Sequence, residues 1–448
     1  MKNIELNHIE IIQLLMVANP QQMDLIVEQI HPADVLDAIH LYDGDPLEIL
    51  KRLPETYVAS IIDEAEDDEK YELLTLFSKQ KQIDIVDEMS SDELVDLLGS
   101  IDEEEQNSII VNMDAQDAAE VRALLSYEPE TAGGIMATEF LAMQEHMTVQ
   151  DTLTYLQQEA PDAETFYYIY VLDDQGILKG VVSLRDLIKS SFATQLGEIM
   201  KESVVSVPVD MDQETIGRMF EKYGYLIIPV VNQANKMLGI ITVDDIMEIL
   251  MEEDTEDLYR LAGLQESEKV AGGVKESVKS RLPWLIVNLF TAILAAATVS
   301  LFEGTISKVV ALATFMPIVA GMGGNAGTQT LTLIVRGIAL GEVRLENAKK
   351  ILKKEISVGV LNGVVLGILV AVLGLIWEGN PVFGLVIGVA MLLNLIMATL
   401  AGYFVPVTLK KLGVDPALAS AVFVTTVTDV LGFFFFLGLA TIFIQALM

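Results

Sequence analysis

The chain has 448 residues, with 28 Lys/Arg against 65 Asp/Glu, a formal charge of −37, four His and no Cys. Ten of the basic and seven of the acidic residues lie from Arg281 onward, so the residues before it carry −40 and the remainder +3. An acid excess of this size repels nucleic acid and draws cations; the absence of Cys excludes disulfides and thiolate sites, and the lack of a His-Glu-x-x-His array disfavours a zinc hydrolase.

The N-terminus, Met1-Lys-Asn-Ile-Glu-Leu-Asn-His-Ile-Glu10, carries acids and no apolar core. It does not read as a signal peptide, so the segment before Arg281 is expected in the cytosol. Residues 1–130 show apolar residues at three- and four-residue spacing, as in 34–39, 58–62 and 92–98. This predicts short acidic helices stacked into an all-α superhelical N domain, with Ser91 as a cap and Asp114 or Asp117 in a cap or first turn.

A gap-free repeat follows. Residues 170–186 align with residues 229–245, and each copy predicts a strand, a polar turn, a strand and a helix capped by Ser or Thr. These Gly-x-x-Ser/Thr-x-x-Asp units resemble tandem CBS domains, α+β modules placed here at 137–194 and 195–252. The resemblance implies an adenine nucleotide, ATP, as modulator, with Asp186 and Asp245 where a ribose is approached. No Walker-type loop is present, so hydrolysis is not expected.

Residues 243–280 predict a connecting helix and linker. Asp245, Glu248 and Glu252 fall on one side of that helix, where like charges oppose its formation by about 0.2–0.5 kcal/mol per pair and call for a neutralising partner.

Uncharged stretches then run over 282–302, 309–335, 356–377 and 379–409, and 416–448 is interrupted only by Asp429. Each exceeds the roughly 20 residues that cross a bilayer, which predicts five transmembrane helices within 281–448. Arg336, Arg344, Lys349, Lys350, Lys353 and Lys354 follow the second stretch, and Lys410 and Lys411 follow the fourth. Positive charge on alternate loops predicts a multi-pass cell-membrane protein, with its N-terminus cytoplasmic and its C-terminus outside.

The second stretch holds Pro317-Ile-Val-Ala-Gly-Met-Gly-Gly-Asn-Ala-Gly-Thr-Gln-Thr330. Small residues at this density allow close helix packing, and Asn325, Thr328 and Gln329 offer neutral oxygens, so both a packing face and a pore lining are open. An Asp at mid-membrane costs about 2.5–3.5 kcal/mol and usually marks an ion path. The alternative is that Thr425, Thr426 or Thr428 of a neighbouring helix donates a hydrogen bond to Asp429 as structural glue, a role a neutral Asn would serve at lower cost.

Gly432, three residues after Asp429, either widens the path or packs a helix. One carboxylate per chain is thin for a dication, so a symmetric homodimer presenting two Asp429 is expected. Carboxylate, hydroxyl and amide oxygens suit Mg2+, without separating it from Mn2+ or Co2+. The candidate pore residues are Asp429, Asn325, Gly432 and Thr425.

An acidic helical domain, a CBS pair, a connecting helix, five spans and the run Pro-x5-Gly-Gly-Asn-x-Gly-x-Gln together resemble the MgtE family of magnesium channels over essentially the whole chain. The resemblance implies that the second span lines a pore beside Asp429 and that the connecting helix plugs its cytosolic mouth. It implies regulatory Mg2+ held by Glu214, Asp245, Glu248, Glu253, Glu256 and Asp257, with Asp415 as the membrane-side partner. Gly224 stands where the family can carry an acid.

The expected function is a Mg2+-selective channel closed by cytosolic Mg2+. A secondary carrier coupled to H+ or Na+ is the alternative, although five spans show no inverted-repeat symmetry. An enzyme is not expected, because no His or Cys follows His146. A fixed intramembrane carboxylate also argues against an anion channel.

Overall fold

The computed structural model describes residues 7–158, 163, 166–265, 268, 270, 272–344, 346–418 and 421–448. The chain divides into two compact units, Met1–Leu250 and Met251–Met448.

From His8 to Leu124 the first unit is a run of short helices, among them α1 (Asp67–Thr75) and α2 (Ser91–Gly99). Their starts are encoded locally: Asn7 and Asn19 form capping boxes with Glu10 and Gln22, and Asp102 and Asp114 accept first-turn N–H groups. The cap position of α2 is Ser90, one residue before the expected Ser91. Ser91 is buried, and its hydroxyl donates instead to Glu139 at 2.8 Å. The three- and four-residue apolar spacing, from Ile11 to Val121, packs into one continuous core.

The repeats form two three-stranded sheets. One contains β1 (Ala142–Gln144), β2 (Tyr168–Leu172) and β3 (Leu178–Ser183), and the other β4 (Val207–Pro208), β5 (Ile227–Val231) and β6 (Met237–Thr242). In each, the first pair of strands is parallel, the second is antiparallel, and the register slips at the same place, between Val171 and Leu172 or between Val230 and Val231. Both polar turns need a left-handed residue, which is Gly176 at φ 79° in one and Asn235 at φ 58° in the other.

The two turns bond each other, Leu178 N to Asn235 O at 3.0 Å and Met237 N to Gly176 O at 3.1 Å. With Tyr170, Val231 and Ile240 in a shared core, the copies make one body. Val95 and Leu124 of the helical region join the core of the second copy.

Of the helices around the repeats, three bear on the expected sites. α3 (Leu184–Lys189) starts at Ser183, whose hydroxyl accepts the Asp186 N–H; α4 (Gln213–Tyr223) ends at Gly224; and α5 (Val243–Ala262) carries the connecting acids. Gly224 lies at φ 65°, a left-handed helix terminus that disfavours a side chain. This backbone requirement accounts for the missing acid at that position.

In the second unit, long helices follow: α6 (Val274–Ser300), α7 (Ala311–Ala339), α8 (Ala348–Glu378), α9 (Pro381–Lys411) and α10 (Ala421–Ile442). Among the described residues, four of them, all but α7, are long and apolar enough to cross a membrane. The second of the five expected spans, α7, falls short of the others on apolarity and not on length. α7 has the length, 29 residues, but Gly321, Gly323, Gly324, Asn325, Gly327, Thr328 and Gln329 dilute its apolar surface.

α9 is the centre of the unit, packed against α7, α8 and α10, whereas α6 packs chiefly on α10. The apolar window of α9 is 56% buried and that of α6 is 6% buried. Gly359, Gly363 and Gly367 let α8 meet α9 closely; a methyl group on Gly367 would lie 2.7 Å from the Gly388 carbonyl.

Candidate functional site

Asp429 lies in the middle of α10, half-buried. The three threonines offered as glue partners turn their hydroxyls onto their own helix: Thr425 and Thr426 donate to Val422 O at 3.1 and 2.6 Å, and Thr428 to Thr425 O at 2.9 Å. Among the described residues, none donates a hydrogen bond to Asp429. The glue reading thus loses its donors, and an uncompensated carboxylate remains within an apolar helix.

α7 and α10 pack through small residues. A methyl group on Gly324 would lie 3.3 Å from the Thr425 methyl, and one on Gly327 would lie 2.5 Å from a Val424 methyl. Thr425 therefore contributes packing as well as a hydroxyl. Asn325 and Gln329, one turn apart on α7, are exposed in the monomer. Gly432 is buried against Asn394 of α9, where a methyl group would come within 2.7 Å of its amide nitrogen. Of the two readings of Gly432, these surroundings support packing.

The first unit holds an acidic cavity of about 550 Å3, lined among others by Asp63, Glu64, Asp87, Asp92, Glu93, Glu139 and Asp245. It lies where the helical region meets the second repeat. Burial is the leading cause of a raised pKa throughout: the Asp92 carboxyl is pushed up, Asp245 rises to about 6 with Asp92 adding repulsion, and Glu93 rises to about 7. Glu93 is raised even though Lys70 of α1, itself buried, places Nζ 2.5 Å from its carboxylate. Glu248 of α5 adds to the repulsion on Glu93.

The sign of the resulting pH dependence follows directly. Glu93 and Asp245 start from 4.5 and 3.8, so between those values and about 7 and 6 the folded chain binds more protons than the unfolded one. Their contribution is fully present below about pH 4 and is lost as pH rises through the folded values. Thermal unfolding of the first unit in metal-free protein should therefore occur several degrees higher at about pH 5 than at about pH 8, on the order of 2 kcal/mol, with Mg2+ narrowing the gap. A melting temperature indifferent to pH in chelator would remove the buried acids as a source of strain.

A second cluster lies within the Met251–Met448 unit, where the end of α5 meets the loop before α10. Arg260 ion-pairs with both Glu256 and Asp415, and Arg336 holds Asp254 at 2.5 Å. The other Asp415 oxygen accepts the Ala417 N–H at 2.8 Å. Asp257, with Asp415, Glu253 and Asp254 around it, is pushed up to about 6, chiefly by burial. A cation arriving at Asp415 has to displace the Arg260 guanidinium.

The remaining expected residues are dispersed. Glu214 pairs with Arg218 at 3.1 Å on the outer side of α4 and does not line the acidic cavity. Asp186 bonds the Ser183 hydroxyl at 2.7 Å, which holds its carboxyl below the usual range. Asp245 bonds Thr242 in the equivalent way but faces Asp92, which disfavours a polyphosphate beside it.

Among the described residues, no three His, Asp or Glu side chains converge tightly enough to grip one bare ion. Acids spaced around a roomy cavity suit Mg2+ that keeps several of its waters. Sequence reasoning did not single out Asp92, Glu93 or Lys70. Adjacent acids at a helix start carry no mark of burial, and a Lys among acids reads as a surface residue.

Comparison with known proteins gives concordant matches along the chain. The family models described as MgtE intracellular N domain, CBS domain, and divalent cation transporter (MgtE) match residues 30–130, 132–192 with 196–252, and 316–439. The chain is similar to a magnesium transporter MgtE of Thermus thermophilus, 40% identical over 331 residues and 73% of each chain. It is also similar to one of Enterococcus faecalis, 38% identical over 330 residues, 74% of this chain and 73% of that one. A solved cytosolic domain of the Mg2+ channel MgtE in complex with ATP shares 36% identity at a TM-score of 0.50, covering 54% of this chain and 99% of the other.

Proposed function

This chain belongs to the MgtE family of magnesium transporters, and from that premise we propose that it is a Mg2+-selective channel, working as a homodimer and closed by cytosolic Mg2+. The observation that carries the conduction half is Asp429, a mid-helix carboxylate with no hydrogen-bond donor among the described residues. In a two-fold assembly, two such groups supply −2 for an ion of +2. α7 enters the membrane as the fifth span, its dilute hydropathy being the signature of a helix that lines water, with Asn325 and Thr425 near the path. The N-terminus is cytoplasmic and the C-terminus outside.

The regulatory half rests on the two acidic clusters. When Mg2+ is scarce, Asp92 repels Asp245 and Glu93 at the cavity, with Glu248 adding to the repulsion on Glu93, and Asp415, Glu253 and Asp254 repel Asp257 at the end of α5, where Arg260 offsets both Glu256 and Asp415. Hydrated Mg2+ relieves both, drawing α5 into the closed position. Glu214, on a separate exposed face, is a peripheral member of this set. ATP is proposed as a modulator at the Asp186 side, because Asp245 already faces another carboxylate.

Reconstitution tests the whole reading. Mg2+ flux into proteoliposomes should persist when H+ and Na+ gradients are collapsed and should fall as Mg2+ on the cytosolic side rises. Flux that stops with either gradient would assign the chain to the carriers instead.

A further inference from the structure

Asn394 of α9 is fully buried, with 0% exposure, in a core otherwise built of Phe315, Val319, Met391, Leu395 and Phe436. Its Nδ2 donates to the Val319 carbonyl of α7 at 2.8 Å. Its Oδ1 has no hydrogen-bond partner among the described residues. The amide assignment is chemically forced, since the flipped side chain would set two carbonyl oxygens against each other.

The side chain sits in a notch between two glycines. A methyl group on Gly323 of α7 would collide with the Asn394 amide, and one on Gly432 of α10 would come within 2.7 Å of Nδ2 and 3.0 Å of Oδ1. One asparagine thus touches both helices of the proposed path, two residues from Asn325 on α7 and three from Asp429 on α10.

Stability alone does not explain this residue. An unsatisfied amide oxygen in an apolar core is a standing cost, which an apolar side chain of the same branching would not carry. What the amide adds is register. Nδ2 demands a carbonyl, and Val319 O meets that demand at one axial and one rotational setting of α7 against α9. Buried asparagines fix helix alignment in coiled coils in this way.

Resting on the channel reading above, we propose that Asn394 is a positioning residue for ion selection. Keyed into the Gly323–Gly432 notch, it sets the separation of α7 and α10 at the level of Asp429. Mg2+ is held in compact octahedral geometry, whereas Ca2+ takes longer and more variable bonds, so a path of fixed width favours the former. Loosening the key admits the larger ion.

The test is the ratio of Ca2+ to Mg2+ flux, normalised to protein incorporated, in proteoliposomes bearing the full chain, Asn394→Leu or Asn394→Ala. Asn394→Leu keeps the branched shape at a larger volume and loses the donor; Asn394→Ala loses shape and donor. We expect each to raise the ratio at least about fivefold, with Asn394→Ala the greater. An unchanged ratio overturns the inference, even where total flux falls, because a packing role alone predicts a proportionate loss for both ions. Asp429→Asn run alongside separates the two levels: if it conducts like the parent, the channel reading has failed, and if it is silent while the Asn394 variants keep the parental ratio, only the positioning role has.

Discussion

Proteoliposomes carrying Asp429→Asn are expected to pass Mg2+ at least about a hundredfold more slowly than those carrying the parent chain. The substitution preserves shape and removes only charge, so the fold should be retained. At 4 Å and an effective dielectric of 20, two unit charges attract by about 4 kcal/mol, and a dication meeting two carboxylates gains several times that. Even a third of this attraction exceeds the ~2.7 kcal/mol that a hundredfold change requires. The check is radiotracer or dye-reported Mg2+ uptake at matched protein content. Uptake at the parental rate would place the ion path elsewhere, because Asp429 is the only charged residue between Pro416 and Met448.

The second large effect concerns closure. A chain lacking residues 1–252 is expected to conduct equally whether Mg2+ on the cytosolic face is micromolar or millimolar. Each site selective for the closed state contributes ~1.4 kcal/mol at ten times its dissociation constant, so about four suffice for the ~5.5 kcal/mol that turns 1:99 into 99:1. The acidic cavity and the first half of α5 are lost with the deletion, while Asp254, Glu256 and Asp257 remain beside Arg260, Arg336 and Asp415. Flux titrated against cytosolic-side Mg2+ decides the matter. Suppression as steep as in the full chain would move the sensor to that residual cluster.

The parts of this architecture most legible in the sequence share a simple physical origin. The two repeats could be aligned without a gap because strand, turn and capped helix each demand particular residue types at fixed spacing, and β2–β3 and β5–β6 repeat that spacing down to the register slip. Asp429 stood out because a charge in an apolar run has no cheap explanation. Asn394 did not, since one polar residue in a long apolar helix is unremarkable until its neighbours prove to be two glycines on different helices.

Burial of Asp92 and Lys70, with Glu93 half-buried beside them, was likewise invisible, as it arises where the helical region meets the second repeat rather than from any local pattern. The reading of α7 as a span rests on its lack of charge rather than on apolarity, since Gly, Asn, Thr and Gln make up much of residues 321–329, and composition does not say which of them pack and which face water. Gly224 shows the converse, a missing acid accounted for by a backbone angle.

α6 packs chiefly on α10 and is otherwise nearly bare. A displacement of its N-terminal end is therefore passed to the helix that bears Asp429 rather than to the rest of the helix bundle. In the proposed channel, leverage of this kind would couple α6 to the Asp429 carboxylate with no rearrangement of the closely packed α8–α9 pair.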